Sequence, residues 1–278
     1  MVDLQAEQLS VSYQTRSIIE DLSLSFPSEQ ITTIIGPNGC GKSTLLKSLA
    51  RLLSPTAGTV YIKGEDLQAV KRKALAQMLG MLSQSPEQPE GLSVYQLVAY
   101  GRYPHRKRIG KLTDNDHAVI SQSLQDTGLI DFKDRNIEEL SGGQRQRAWI
   151  AMALAQETDI LLLDEPTTYL DMTHQLEILL LLQSLNRTKK RTVIMVLHDL
   201  NHASRFSDQL VAMKNGEVLC MGTPEEVVCP VVLRSVFGIE AQIVQDPSSG
   251  APLCMTYDIA NPQNIQHSEQ AERQVAAT

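Results

Sequence analysis

A glycine-rich loop set between a β-branched run and a helical stretch constrains this chain more than any other feature. Ile31-Thr32-Thr33-Ile34-Ile35 reads as a strand, and Gly36-Pro37-Asn38-Gly39-Cys40-Gly41-Lys42-Ser43-Thr44 fits G-x-x-x-x-G-K-[ST]. Leu45 to Leu53 then carries apolar residues at helical spacing. Glycines let the backbone curl so that successive N–H groups point inward at phosphate oxygens. A helix beginning near Gly41 adds its positive end. Lys42 offers a point charge to β- and γ-phosphates, and Ser43 offers a hydroxyl to Mg²⁺.

Around this unit the chain alternates in character. Leu9 to Tyr13 and Leu22 to Phe26 alternate as half-buried strands do, and Gly58 to Ile62 reads as another surface strand. From Pro86 to about Glu157 the pattern turns helical, with apolar spacing over Val94 to Tyr100, His117 to Thr127 and Gly142 to Gln156. Strands then return. Ile160 to Leu163 and Thr192 to Leu197 are continuous apolar runs, as central parallel strands covered on both faces require. Met172 to Asn186 is the helix between them, and strand–helix–strand order implies a crossover within one sheet. The expected layout is an α/β core interrupted by a helical insertion. From about Pro262 the sequence is rich in Gln, Ala and Glu without apolar periodicity, the mark of a weakly ordered tail.

Two further stretches carry chemistry. Ile160-Leu161-Leu162-Leu163-Asp164-Glu165 sets two acids at the end of a buried strand, where open parallel sheets hold their ligands. Asp164 suits the outer shell of Mg²⁺, and Glu165 suits the base that takes a proton from an attacking water. Alone, the same acids would serve as a loop capping the helix that follows Pro166. In Leu140-Ser141-Gly142-Gly143-Gln144, Ser141 and Gln144 form a capping box for the helix that follows. Two glycines in a first helical turn cost about 1 kcal/mol each against alanine. They also leave amides bare for an approaching phosphate.

Composition narrows the function classes. Of 278 residues 42% are apolar and 21% charged, and a net charge of −7 argues against a general nucleic-acid binder. Cys40, Cys220, Cys229 and Cys254 are too scattered for a zinc site or a disulfide framework. Met1-Val2-Asp3-Leu4-Gln5 lacks the basic-then-apolar order of a signal peptide. The longest apolar runs, Ile178 to Leu182 and Val193 to Leu197, fall far below the ~20 residues of a membrane helix. A soluble chain is expected, with any membrane role exercised through partners.

Leu140 to Arg147, with the phosphate loop before it and Leu163-Asp164-Glu165-Pro166 after it, resembles the signature of ATP-binding-cassette ATPases in its usual order. The resemblance runs from about Leu9 to Asp258. It implies a P-loop NTPase (RecA-like) α/β core with an N-terminal antiparallel β subdomain and an inserted α-helical subdomain. Residues 1–85 and 158–258 would form the core with its β subdomain, 86–157 the helical subdomain, and 259–278 the tail. It also implies MgATP hydrolysis by a head-to-tail homodimer, in which Ser141, Gly142, Gly143 and Gln144 contact the γ-phosphate held by the other copy. Gln84 matches the glutamine that links Mg²⁺ to the membrane subunits, and His198 the histidine that senses γ-phosphate. Asp171, in Thr167-Thr168-Tyr169-Leu170-Asp171, matches the loop that crosses to the partner's site. Tyr13 matches the aromatic that stacks on adenine.

Gly101-Arg102-Tyr103-Pro104-His105, the Ser141 to Gln156 helix, Pro166 to Asp171 and His198-Asp199-Leu200-Asn201 together resemble ATPases of ferric-siderophore importers, and Gly222 to Val227 and Asp246 to Leu253 agree with that subgroup. The ferric citrate and ferric enterobactin systems are the types matched. Haem and vitamin B12 import ATPases share the architecture. Two permease subunits, a periplasmic or surface solute-binding protein acting through them, and a peripheral place on the cytoplasmic face of the membrane follow from the same resemblance. Against a non-transport cassette, the insertion is too short for the coiled coil of repair proteins, and one cassette is present where translation factors join two. A cofactor-assembly scaffold stays open. Arg102, His105, Arg106, Lys107, Arg108 and Lys111 form a basic cluster that reads as a solvated loop, or as a contact for permease loops or anionic headgroups. Cys40, among inward amides and beside Lys42, is expected either as a reactive thiolate or as a buried inert thiol.

Overall fold

The computed structural model describes residues 2–84, 90–106, 111–168 and 170–260. Strand β1 (Val2–Tyr13) turns directly into β2 (Arg16–Pro27), and the two pair antiparallel. Their alternation buries Leu4, Leu9, Val11, Ile19, Leu24 and Phe26 on one face. The chain continues through β3 (Ile31–Ile35), helix α1 (Lys42–Leu49), β4 (Ala57–Ile62) and β5 (Glu65–Asp66). β4 returns to pair with β1, and β5 pairs with β4, giving a four-stranded antiparallel sheet of order β2-β1-β4-β5. α1 is shorter than its apolar spacing suggests: Leu52 and Leu53 lie beyond its end, with Leu52 exposed.

Next come α2 (Arg72–Met78), β6 (Leu79–Leu82), and the insertion formed by α3 (Val94–Tyr100), α4 (Asp114–Asp126) and α5 (Gly142–Ala155). The core resumes with β7 (Ile160–Asp164), α6 (Met172–Lys189), β8 (Thr192–Val196), α7 (Leu200–Phe206), β9 (Gln209–Lys214) and β10 (Glu217–Gly222). Helices α8 (Pro224–Val227) and α9 (Pro230–Phe237) lead into the hairpin β11 (Ile239–Gln245) and β12 (Pro252–Ile259).

A six-stranded sheet of order β10-β9-β3-β8-β7-β6 forms the centre, parallel from β9 to β6 with β10 antiparallel at the edge. Its strands explain the unbroken apolar runs. Ile34, Ile160, Leu162, Ile194 and Val196 point into a core shared with α1 and the antiparallel sheet. Ile31, Ile35, Leu161, Leu163, Val193 and Met195 point the other way, into a core shared with α5, α6, α7 and the insertion. With both faces covered, neither face selects polar residues. Because the strands are parallel, the chain segments that follow β3, β6, β7 and β8 emerge at one edge.

The insertion corrects one expectation. Arg102 is neither solvated nor free to meet a partner: it is 2% exposed, with Nε 2.8 Å from Asp116 Oδ1 and Nη1 2.6 Å from Glu157 Oε2. Nη1 also donates to Ala155 O at 2.7 Å. His105 Nε2 lies 2.7 Å from Gln156 O, so this part of the basic cluster fastens the segment after α3 to the end of α5. Burial alone would raise the Asp116 carboxyl, but hydrogen bonds from Arg102 and Thr113 outweigh it and hold the group well below the carboxylate range. Lys107 and Arg108 lie outside the described residues.

At the far end, Asn201 clasps the backbone of Cys254, donating to its carbonyl at 3.2 Å and accepting from its N–H at 2.8 Å. Ser204 Oγ donates to Pro252 O at 2.6 Å, so α7 pins β12 in place. β12 extends to Ile259, and Ala260 N donates to Gly238 O at 2.9 Å. Residues 261–278, most of the expected tail, lie outside the described residues.

Candidate active site

The loop after β3 bends through Gly36, Gly39 and Gly41, with φ of 152°, 76° and 105°. Gly36 also lies against the neighbouring strand: a Cβ there would stand 2.2 Å from Met213 O. Gly41 precedes α1 without a side-chain cap, which leaves the first amides of the helix facing the loop. Lys42 is buried, and its Nζ donates to Gly36 O at 2.8 Å and Pro37 O at 2.9 Å, bracing the loop from inside. A pocket of about 340 Å³ opens here, lined by Asn38, Gly39, Gly41, Lys42, Ser43, Thr44 and Glu165. Arg16 and Ile18, which the sequence does not mark, complete the walls. Tyr13 is half-exposed and pairs across the β1–β2 turn with Arg16, but it does not itself line this pocket.

Cys40 turns away from the pocket. It is 4% exposed and packs in the core beneath the antiparallel sheet, and burial pushes its thiol up more than Lys42 draws it down. The thiolate expectation is therefore corrected: desolvation outweighs the nearby ammonium.

Across the loop, Ser43 Oγ donates to Asp164 Oδ1 at 2.9 Å. Asp164 ends β7 almost fully buried, and its carboxyl is raised by burial, with the Ser43 bond opposing and the Glu165 charge adding to the rise. A buried carboxylate bonded to a hydroxyl that itself lines the phosphate pocket has the donor chemistry that a divalent cation satisfies, so both residues fit Mg²⁺. Glu165 follows with φ of 54°, a left-handed backbone that costs a non-glycine residue about 1–3 kcal/mol and is tolerated where a site requires it.

The Glu165 carboxylate is held by three side chains. Gln84 Nε2 donates to Oε2 at 2.6 Å, Thr168 Oγ1 donates to the same oxygen at 2.9 Å, and His198 Nε2 lies 2.7 Å from Oε1. Gln84 follows β6 and His198 follows β8, so the parallel sheet brings together residues 81 and 33 positions from Glu165. Thr168 is a site residue that motif reading does not single out; its position three residues after Glu165, closing a turn in which Thr168 N donates to Glu165 O at 3.3 Å, is the signal that could have found it.

Ser141 forms the expected capping box. Its Oγ accepts from Gln144 N at 3.3 Å, and its N–H donates to Gln144 Oε1 at 3.0 Å. Gly142 is open, whereas Gly143 is buried. Among the described residues, none of 141–144 lines the phosphate-loop pocket. Asp171 caps α6, accepting from His174 N at 2.9 Å, and its carboxyl is lowered by the bonds from His174. Tyr169 lies outside the described residues.

The family model described as ABC transporter matches residues 19–168. The iron(3+)-hydroxamate import ATP-binding protein FhuC of Bacillus subtilis (strain 168) is 52% identical over 259 residues, covering 93% of this chain and 96% of the relative. The ferric enterobactin transport ATP-binding protein FepC of Escherichia coli (strain K12) is 44% identical, covering 90% of this chain and 92% of the relative. Among solved structures, an inward-facing transporter described as of the metal-chelate ABC type matches with a TM-score of 0.79 at 27% identity, over 92% of this chain and 96% of the matched chain. A dimer of the ATP-binding cassette MJ0796 bound to ADP and Pi matches with a TM-score of 0.70 at 28% identity, over 79% of this chain and 98% of the other. With its phosphate loop, paired acids and signature helix in place, the chain belongs to the ABC transporter family, as one of its ATPase cassettes.

Proposed function

We propose that this chain is the ATP-hydrolysing subunit of an importer for ferric siderophores, working as a homodimer beneath two separate permease subunits. The observation that carries the ATPase chemistry is the Glu165 carboxylate, held at the phosphate pocket by Gln84, Thr168 and His198. Oriented in this way, Glu165 takes the proton of a water attacking the γ-phosphate. His198 reaches the same carboxylate from β8, so a phosphate contact at His198 and the position of the base are coupled. The phosphate-loop amides and Lys42 bind the nucleotide phosphates, and Tyr13, at the β1–β2 turn, is the surface for the adenine ring. Mg²⁺, held by Ser43, Asp164 and Gln84, would offset phosphate charge.

The separation of Ser141–Gln144 from the phosphate-loop pocket supports a shared site. The amides of Gly142 and Gly143, among the described residues, lie outside the phosphate-loop pocket, so a second copy is the natural supplier of a phosphate for them. The MJ0796 cassette dimer shows the fold in a paired state. Asp171, exposed at the cap of α6, belongs to the same interface.

A groove of about 740 Å³ between α2, β6 and the insertion suits a permease loop. Leu52, Tyr100 and Tyr103 on its wall are 69%, 54% and 65% exposed. Leu79 and Met81 of β6 line it too, and Gln84 follows that strand to Glu165, so movement in the groove reaches the base through one short segment. Among the described residues no helix is long and apolar enough to cross a membrane. The permeases, on this reading, hold the chain at the cytoplasmic face and receive cargo from a solute-binding protein.

The siderophore assignment rests on relatives whose names specify import of iron(3+)-hydroxamate and petrobactin and transport of achromobactin and ferric enterobactin, at 44–52% identity. Uptake of labelled iron by cells lacking this chain tests it, with ferric hydroxamate, ferric catecholate and haem supplied separately. Loss of uptake from at least one ferric siderophore, restored by the wild-type chain and not by Lys42→Ala, is the expected result. Unchanged siderophore uptake with lost haem or cobalamin uptake would overturn the assignment.

A further inference from the structure

Gly142 and Gly143 are neighbours in the first turn of α5, yet only one is crowded. A Cβ on Gly142 would meet nothing within 4 Å, whereas one on Gly143 would stand 2.5 Å from His174 Cδ2 and 2.7 Å from its Cγ. Gly143 lies in regular helix, so contact, not backbone conformation, excludes a side chain there. The imidazole opposite is tethered. His174 Nδ1 lies 2.7 Å from Asp171 Oδ1, and the His174 N–H donates to the same oxygen at 2.9 Å. Gln175 Nε2 donates to Leu170 O at 2.9 Å, holding the loop before Asp171. One turn further along both helices, Arg147 Nη1 of α5 meets Glu177 Oε2 of α6 at 3.2 Å.

The first turns of α5 and α6 are thus joined at two points, with the His174 ring wedged between the Gly143 backbone and the Asp171 carboxylate. α5 belongs to the insertion and α6 to the central sheet, and the chain between them runs through β7 and the Glu165 loop. The two helices share a hydrophobic core further along, but it is the Gly143–His174 and Arg147–Glu177 contacts that join their first turns directly. Helix amides and a crossing loop are useful to a second copy only when both arrive in register, because misplacements of about 1 Å cost up to ~10²-fold in rate.

We infer that His174 is a positioning residue of the ATPase, locking the Gly143 backbone and Asp171 into one rigid unit that is presented to the partner copy's nucleotide. The inference rests on the shared-site reading above. It explains why Gly143, unlike Gly142, has no room for a side chain: the histidine occupies it.

The test is steady-state MgATP hydrolysis by the full chain carrying Gly143→Ala, His174→Ala, both together, or His174→Asn. Gly143→Ala displaces the ring from Asp171, and His174→Ala removes it, so each lowers kcat about tenfold; His174→Ala, which alters no residue of the phosphate loop or of 141–144, does so with KM for ATP unchanged. The double variant is no slower than the slower single variant, because both changes break one contact. His174→Asn, whose amide can donate to Asp171 from the place of Nδ1, keeps kcat within about threefold of wild type. Losses that multiply in the double variant, or wild-type turnover in His174→Ala, would overturn the inference. Thermal melting identifies a variant that fails to fold, and the Asn substitution then carries the comparison alone: loss as severe as in His174→Ala also overturns it. Ser141→Arg separates the two readings. If it turns over normally, the shared site itself is wrong; if it is inactive while the Gly143 and His174 losses multiply, only the role of His174 is wrong.

Discussion

Ser43 Oγ donates a 2.9 Å hydrogen bond to Asp164 Oδ1, joining the start of α1 to the end of β7 across 121 residues of chain. The bond fixes how the phosphate loop and the paired acids face one another, and it places the strained Glu165 backbone at the pocket wall. The chemistry of the site follows from that relationship, since a base is useful only within hydrogen-bond reach of the water it activates.

Glu165→Gln keeps the shape of the side chain and its bond from Thr168 but removes the proton acceptor. MgATP binding, followed by a fluorescent nucleotide titration, is retained, while hydrolysis falls by ~10²-fold or more. Turnover at the wild-type rate would remove Glu165 from that role.

Arg102 is expected to matter to stability rather than to transport contacts. Removing it leaves Asp116 buried without its partner, a loss of about 3–5 kcal/mol in urea denaturation of Arg102→Ala. Asp116 also adds a pH dependence of definite sign. Its folded carboxyl titrates well below the ordinary aspartate range, so the unfolded chain binds the proton first. Its contribution is complete above about pH 5 and is lost as pH falls below about 4. The stability difference between wild type and Asp116→Asn should therefore be largest near neutrality and shrink through that window.

Cys40 should resist alkylation with or without MgATP, because burial both shields the sulfur and disfavours its thiolate. Mass spectrometry after N-ethylmaleimide treatment at pH 8 should find Cys229, which is half-buried, modified well before Cys40. Cys40 reacting as fast as Cys229 and protected by MgATP would restore the thiolate reading.

The parts of this molecule legible in the sequence are those where local pattern and chemistry coincide. The β3–loop–α1 unit shows because glycines, a lysine and a hydroxyl must fall at fixed offsets around a phosphate. β7 and β8 show because burial on both faces demands unbroken apolar runs. The capping box at Ser141 was readable from two residues three apart. What depended on tertiary packing was not. Arg102 sits in a basic run that looks solvated, and only the approach of Asp116 and Glu157 buries it. The direction of the Cys40 side chain is set by the core beneath the loop, which the loop motif does not encode. His174 and Thr168 take their meaning from Gly143 and Glu165, and α7 to β12 contain short elements whose order comes from contacts such as Asn201 with Cys254.

The most direct test of the account is a mixing experiment on the shared site. Lys42→Ala and Ser141→Arg chains, each also carrying Glu165→Gln to block turnover, are prepared alone and combined, and MgATP retained on the dimer is measured after gel filtration. Each variant alone lacks any complete site, whereas a heterodimer holds one site with both defects and one with neither. The account predicts that retained nucleotide appears only in the mixture, where mass action on the closed dimer also stabilises it. A mixture that contains heterodimers yet retains no more nucleotide than either parent would contradict a site built across two copies.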